Sequence, residues 1–154
     1  MTEGPWCALA EGFLALGQTV IECGAKQHYD LLERNKQTVT AFYDLTFNDR
    51  RPRAAVARYV GDSYVHHNPD VGDGKQGFID YFERSAERYP EKRVYFEKVI
   101  AEGNYVALCC RQEWPGELWT NIDIFRLDDD GRIVEQWNVR QAAPTQAKNA
   151  NGMS

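Results

Sequence analysis

The chain has 154 residues, the length of one average domain, and 43% of them are apolar, which is enough to build a core and argues against disorder throughout. Its formal net charge is −5, from 18 Lys and Arg against 23 Asp and Glu, and this balance argues against nucleic acid or an anionic membrane as the main partner. The four cysteines, at positions 7, 23, 109 and 110, form no CxxC pair, so neither a disulfide framework nor a cysteine zinc site is predicted.

The N-terminal extension, residues 1–29, differs in composition from the rest of the chain. It is acidic where a secretion signal would be basic, and no apolar run in the sequence nears the roughly 18 residues that cross a membrane. We therefore expect a soluble, cytoplasmic protein with reduced thiols. Apolar residues recur at the three- and four-residue spacing of one helix face, at Trp6, Leu9, Phe13, Leu16 and Val20. Two interpretations stay open: a frayed end, or a helix that covers a pocket or docks on a partner subunit.

Three helices are predicted in the first half of the remaining chain. Asp30 with Glu33 three positions later is an aspartate variant of the capping box and predicts a helix start. Pro52 suits the first turn of a second helix. Gly74 precedes a third helix, which Pro90 ends because proline cannot continue a helix.

The second half of the chain is rich in β-forming residues. Short turn signals divide it into four predicted strands, at residues 92–101, 105–114, 118–127 and 132–140. The last residues, 142–154, are small and polar, and we expect a flexible tail there. Helices followed by an antiparallel meander are typical of an α+β domain, here residues 30–141.

The last predicted hairpin indicates which side chains share a face of the sheet. A four-residue loop at 128–131, with Gly131 in a left-handed conformation, pairs Leu127 with Arg132 and sets Asp123 opposite Gln136. Side chains alternate between faces, so one face is polar and aromatic, with Trp119, Asn121, Asp123, Phe125, Gln136 and Asn138. The opposite face carries Ile122, Ile124 and Trp137. A polar face covered by helices predicts a ligand pocket.

Three segments in order resemble the SnoaL-like polyketide cyclase family, within the nuclear-transport-factor-two-like fold. They are Tyr64-Val65-His66-His67-Asn68-Pro69, Asn121-Ile122-Asp123-Ile124-Phe125-Arg126, and residues 131–141, which read GRIVEQWNVRQ. The resemblance implies a cone-shaped α+β barrel of three helices packed on a strongly curved antiparallel sheet. It also implies a homodimer that pairs through the outer face of the sheet.

The resemblance breaks at two positions that matter for chemistry. Family members commonly read Glu-His-Trp-Asp in the last segment, whereas this chain has Gln136 and Asn138 in place of the histidine and aspartate. The family implies a cofactor-free aldol cyclase, which removes a proton next to a carbonyl and stabilises the enolate. An amide cannot serve as that base, although it can hydrogen-bond a carbonyl or enolate oxygen.

His67 and Asp123 are the predicted catalytic residues. His67 matches the family histidine, and Asp123 is the carboxylate that the predicted register places beside the two amides. The alternatives are a histidine satisfied by backbone at a turn, and a structural carboxylate paired with Arg111 or Arg140. The predicted substrate-binding residues are Asn138, Gln136, Trp119 and Arg111.

No metal or other cofactor is predicted. His66 and His67 are adjacent, so they cannot place two ligands on one strand face, and we expect His66 at the surface. Nothing near Cys109 activates its thiol, so a small buried hydrophobe is the expected role.

Two classes of function remain open. The first is a cofactor-independent enzyme that carries out aldol-type cyclisation, isomerisation or related lyase chemistry on a hydrophobic carbonyl compound. The second is a non-catalytic module that binds a hydrophobic small molecule in a degenerate site. The amides Gln136 and Asn138 favour the second class, whereas the ionisable pair His67 and Asp123 favours the first.

Overall fold

Eight helices and strands make up the fold of the described residues. The computed structural model describes the backbone of residues 6–153 and the side chains of residues 24–153. In chain order the elements are α1 Trp6–Phe47, α2 Pro52–Tyr59, β1 Val60–His66, α3 Gly74–Arg88, β2 Arg93–Glu102, β3 Tyr105–Trp114, β4 Glu117–Leu127 and β5 Ile133–Ala142.

Two of the three predicted helices begin where their sequence signals lie. Pro52 occupies the first turn of α2, and α3 starts at Gly74 and ends before Pro90. The first helix differs, because α1 starts upstream of Asp30, which therefore lies inside a helix and cannot cap it. The helix start predicted from the capping box was wrong, because the residues before Asp30 are already helical. The apolar side chains predicted between Trp6 and Val20 lie outside the described residues.

The strands form one sheet in the order β1-β5-β4-β3-β2. Strands β2 to β5 are antiparallel neighbours, as the meander predicts, but β1 runs parallel to β5. The sequence of β1, VGDSYVH, contains Gly, Asp and Ser, which are poor strand formers, so its β-character was not predicted. Three helices and a five-stranded, mostly antiparallel sheet confirm the α+β class.

The register of the last hairpin differs from the prediction by two residues, but each side chain lies on the face of the sheet that was predicted for it. Leu127 pairs with Ile133, and an irregularity between Arg126 and Leu127 sets Asp123 opposite Asn138. The loop spans residues 128–132, one residue longer than predicted, and Gly131 adopts the predicted left-handed conformation with a φ of 78°. A displacement by two residues returns each side chain to its own face, because side chains alternate with a period of two.

The hydrophobic core lies between the helices and the inner face of the sheet. Phe42 of α1 is fully buried and contacts Phe78 of α3, with ring centroids 5.5 Å apart, and Phe125 of β4, with centroids 6.2 Å apart. Towards one end of the sheet the buried residues become polar, with Gln112, Asn121, Asp123 and Gln136 all at or below 3% exposure. Burying this many polar groups requires hydrogen bonds among them, and this region holds the candidate site.

Candidate active site

Asp123 lies at the centre of the polar region, on the inner face of β4, with only 1% of its surface exposed. Its Oδ2 accepts a hydrogen bond from the Tyr43 hydroxyl at 2.9 Å and another from the amide of Asn121. Its Oδ1 accepts a hydrogen bond from Gln136 Nε2 at 2.8 Å. Three donors from α1, β4 and β5 therefore fix the carboxyl group.

The Gln136 side chain is itself held in one orientation. The hydroxyl of Tyr64 donates to Gln136 Oε1 at 2.7 Å, which leaves the amide NH₂ facing Asp123. Burial, with the neighbouring Asp123 charge, raises the pKa of Tyr43 and of Tyr64 well above its usual value. Both hydroxyls consequently stay protonated and remain donors at neutral pH.

Burial raises the pKa of Asp123 from 3.8 to about 7. The hydrogen bonds from Gln136, Tyr43 and Asn121 favour the charged form, as does the positive charge of Lys92, but burial outweighs them. A carboxyl group with a pKa near 7 exists in both protonation states at neutral pH. Such a group can remove a proton from a ligand and return it.

A narrow cavity of about 30 Å³ lies beside this carboxyl group. It has room for about two water molecules, because one water molecule needs a cavity volume of roughly 10–15 Å³. Its walls carry Tyr43, Phe47, His66, Asn68, Tyr81, Phe82, Lys92, Gln112, Asn121, Asp123, Gln136, Asn138 and Arg140. A second depression of about 460 Å³, which we call the vestibule, shares Tyr81 and Arg140 with the cavity. The vestibule is lined by Asp70, Tyr81, Arg84, Ser85, Arg88, Tyr89, Trp114 and Arg140.

His66 at the end of β1 presents a hydrogen-bond donor to the cavity. Its Nδ1 accepts a hydrogen bond from the backbone N–H of Asn68 at 3.0 Å, so the proton of the neutral ring is on Nε2. That Nε2 is buried and has no partner among the described residues. Burial, with a smaller effect from His67, lowers the pKa of His66 to about 4, which keeps the ring neutral.

Asn138 presents a second unpartnered polar atom. Its Oδ1 is buried and has no hydrogen-bond partner within the described part of the chain. Its backbone lies directly across the β4–β5 pair from Asp123, and its side chain lines the cavity. Buried polar atoms are normally paired, so His66 Nε2 and Asn138 Oδ1 mark places where a ligand can supply the missing partner.

Lys92, which the sequence analysis did not single out, also lines the cavity. It is 7% exposed, and its Nζ lies 4.3 Å from the ring centroid of Trp114 and 4.7 Å from that of Phe47. Burial, with a contribution from the positive charge of Arg140, lowers the pKa of Lys92 from 10.5 to about 7. A lysine just before a strand is usually exposed, so no local pattern identifies this one.

The structure does not bring the predicted residue His67 to the cavity. Its ring stacks on Trp137, with centroids 4.8 Å apart and planes 3° apart, and its Nε2 lies 2.9 Å from Glu135 Oε1. His66, the last residue of β1, lines the cavity, whereas His67 follows the strand and is exposed. The expectation that His66 lies at the surface was therefore wrong.

Arg111 and Trp119 also lie apart from the cavity lining. Arg111 forms ion pairs with Glu97 and Glu113 and lies over the ring of Tyr95, with its guanidinium carbon 4.2 Å from the centroid. It does not pair with Asp123.

Trp119 lies at the polar end of the sheet. It donates from Nε1 to Glu117 at 2.9 Å, and its ring lies 5.2 Å from the guanidinium carbon of Arg140. Of the six predicted site residues, Asp123, Gln136 and Asn138 share the cavity. Among the described residues, no group of three or more His, Cys, Asp or Glu is placed to hold a metal ion.

Comparisons with known proteins give the same fold. IdmH from Streptomyces antibioticus, a proposed polyketide cyclase, is 17% identical with a TM-score of 0.60, over 70% of this chain and 91% of its own. A proposed SnoaL-like polyketide cyclase from Jannaschia is 17% identical with a TM-score of 0.61, over 72% of this chain and 88% of its own. A proposed isomerase of the SnoaL-like family from Agrobacterium tumefaciens is 22% identical with a TM-score of 0.56, over 75% of this chain and 98% of its own.

The sequence itself identifies the family. No curated protein matches the chain. The model of the SnoaL-like domain matches residues 39–136, well over half of the sequence, and includes Tyr43, His66, Asp123 and Gln136. The chain therefore belongs to the SnoaL-like family.

Proposed function

We propose that this chain is a cofactor-independent enzyme that moves a proton on a small hydrophobic carbonyl compound, in an aldol-type cyclisation, an isomerisation or a related lyase step. The observation that carries the proposal is the buried Asp123 carboxyl, which has a pKa of about 7 and lines a cavity where two polar atoms lack a partner among the described residues. A base matched to neutral pH and a donor to a carbonyl oxygen are the two groups that enolate chemistry requires.

In the proposed mechanism, Asp123 is the general base. Its carboxylate takes the proton from the carbon next to the carbonyl, and the electron pair of that C–H bond moves into an enolate. His66 Nε2–H then donates a hydrogen bond to the enolate oxygen, where negative charge develops. The neutral His66 donates without giving up its proton, because its pKa of about 4 lies far below neutral pH.

The last step returns the proton. In the isomerisation of a β,γ-unsaturated carbonyl compound, the enolate is conjugated with the neighbouring double bond, and protonated Asp123 delivers the proton to the far carbon of that double bond. In an aldol closure, the enolate carbon attacks a second carbonyl of the same molecule, and Asp123 protonates the new alkoxide. Asn138 is proposed to hold the substrate through its amide, and Gln136 to position Asp123.

The size of the cavity restricts what can react there. A volume of about 30 Å³ accepts only the reacting end of a substrate, and the vestibule of about 460 Å³ is large enough for the rest. We therefore propose that a substrate inserts its carbonyl end past Tyr81 and Arg140, which line both spaces.

The test is deuterium exchange at the carbon next to a carbonyl. A panel of small ketones is incubated with the protein in D₂O at pH 7 and followed by proton NMR. We expect exchange in the wild type and a loss on the order of 10²–10⁴ in Asp123→Asn, the usual range for a positioned base. His67→Gln is the control, because that side chain lies outside the cavity. Equal exchange in the wild type and Asp123→Asn would contradict the proposal.

The alternative function is a non-catalytic module that binds a hydrophobic small molecule. The three hydrogen bonds to Asp123 favour it, because a carboxylate held by three donors can fix the fold without taking part in a reaction. Under this alternative, ketones that bind measurably show no exchange in either protein.

We further propose a homodimer that pairs through the outer face of the sheet. Ile122, Ile124 and Val139 are 43–70% exposed there, close to Trp137, and a second copy would cover them.

No helix in the described part of the chain is long and apolar enough to cross a membrane. The proposed location is the cytoplasm, where the free thiols of Cys109 and Cys110 would stay reduced.

A further inference from the structure

Two positively charged side chains lie together where the cavity meets the vestibule. Lys92 and Arg140 both line the cavity, and both lie against the ring of Trp114. The distances to that ring are 4.3 Å from Lys92 Nζ and 5.7 Å from the guanidinium carbon of Arg140. Arg140 also lies 5.2 Å from the ring of Trp119. Aromatic faces attract cations, so the rings hold both charges in this position.

Neither cation has an acidic partner within the described part of the chain. Six ion pairs form there, and none includes Lys92 or Arg140. The charged and titratable groups that face Lys92 are Arg140, Asp123 and Cys110, of which Arg140 has the largest effect and disfavours the lysine charge. Lys92 is buried and Arg140 is exposed, and two like charges held close together cost free energy unless an anion lies between them.

The surroundings extend the positive charge outward. Arg84 and Arg88 of α3 line the vestibule together with Arg140, and among the described residues Asp70 is the one acidic side chain in that lining. The chain as a whole carries a net charge of −5, so this concentration of arginine runs against the overall balance. A positively charged approach raises the local concentration of anionic ligands and guides them inward.

We infer that Lys92 and Arg140 form an anion-binding subsite that takes the carboxylate of the substrate, which makes the substrate class an oxo acid. Arginine offers a planar pair of N–H donors that matches the two oxygens of a carboxylate, and lysine adds a point charge. The inference rests on the proposed function for the carbonyl end of the ligand. Carboxylate binding itself does not require Asp123.

The orientation of such a ligand follows from the cavity lining. Asp123, His66 and Asn138 would face the carbonyl, while Lys92 and Arg140 would hold the carboxylate towards the vestibule. The middle of the ligand would pass Tyr81, which lines both the cavity and the vestibule.

The test compares an oxo acid with its uncharged ester. Isothermal titration calorimetry is carried out with levulinate and with methyl levulinate, which differ in the carboxylate and share the ketone. We expect levulinate to bind about 10- to 100-fold more tightly, the range for hydrogen bonds to a charged group. Arg140→Gln and Lys92→Met should each remove most of that preference. The matched controls Arg132→Gln and Lys98→Met change exposed residues outside the cavity lining and should keep it.

A second measurement tests Lys92 without relying on the stability of its variant. An anion beside Lys92 raises its pKa, so binding at pH 8 should take up a proton, detected by titration in buffers of different ionisation enthalpy. The uptake is measured in Asp123→Asn, since Asp123 would otherwise contribute its own proton. Absence of uptake, or equal binding of acid and ester, would overturn the subsite.

Two further outcomes separate this inference from the proposed function. If levulinate binds but no ketone undergoes exchange, the result supports the subsite and contradicts the proposed enzymatic function. If neutral ketones undergo exchange but levulinate binds no more tightly than its ester, the result contradicts the subsite and still supports the proposed enzymatic function. Inorganic phosphate serves as the other oxoanion, and phosphate binding as tight as levulinate binding would overturn the carboxylate assignment.

Discussion

The substitution Asp123→Asn should change how the stability of the protein depends on pH. Burial raises the pKa of Asp123 from 3.8 to about 7, so the native state holds its proton more tightly than the unfolded state does. The wild type should therefore lose stability as pH rises from about 4, until the carboxyl is fully ionised above pH 7. The loss corresponds to about 4 kcal/mol in total, of which about 2.5 kcal/mol develops between pH 5 and pH 8.

The assay is urea unfolding of both proteins at intervals between pH 5 and pH 8. Asn carries no titrating proton, so the free energy of unfolding of Asp123→Asn should rise relative to that of the wild type across this range. The lost hydrogen bonds displace the whole curve without giving it a slope, because Tyr43 and the amides do not titrate here. Asp62→Asn, at an exposed position on β1, controls for removal of one negative charge. Curves for wild type and Asp123→Asn that stay parallel would refute the raised pKa.

Four more outcomes are expected. The NMR signals of the His66 ring should not titrate between pH 5 and pH 8, because its pKa is about 4, and a midpoint near 6.5 would exclude a neutral buried ring. His67→Gln should leave ketone exchange within about twofold of the wild type, whereas a large loss would return that residue to the reaction. Asn138→Asp places a second carboxyl opposite Asp123, so the acidic limb of the pH–rate profile should move up by about one pH unit or more. Ile124→Arg should convert the proposed dimer to a monomer in sedimentation at micromolar concentration, and a wild-type monomer would contradict the dimer.

The faces of the sheet could be predicted from the sequence because they depend only on alternation along each strand. Asp123, Gln136 and Asn138 were placed on one polar face by that rule, and the structure places all three on the cavity wall. The residue-to-residue pairing could not be predicted with the same accuracy. It depends on the irregularity between Arg126 and Leu127, which changes the register without any clear sequence signal.

The histidine was assigned differently because β1 was not predicted as a strand. With β1 in place, alternation puts Tyr64 and His66 on the inner face, and His67 follows on the outer side. The buried hydrogen-bond partners of Asp123 could not be predicted from local sequence patterns either. Tyr43 lies 80 residues before Asp123, and only the packing of α1 on the sheet brings the two together.

Under the proposed function, the amides at positions 136 and 138 do not leave the site without a base, because Asp123 supplies a carboxyl group on the neighbouring strand. Asp123 lies directly opposite Asn138, and side chains of such opposed residues begin only about 4.5–5.5 Å apart. A carboxyl on β4 can therefore reach the space that an aspartate at position 138 of β5 would fill. Gln136, fixed by Tyr64, donates to this carboxyl from the position where the family commonly has histidine. Under the proposed function, the base therefore lies on β4 instead of β5, and Gln136 is one of the neutral donors that hold it.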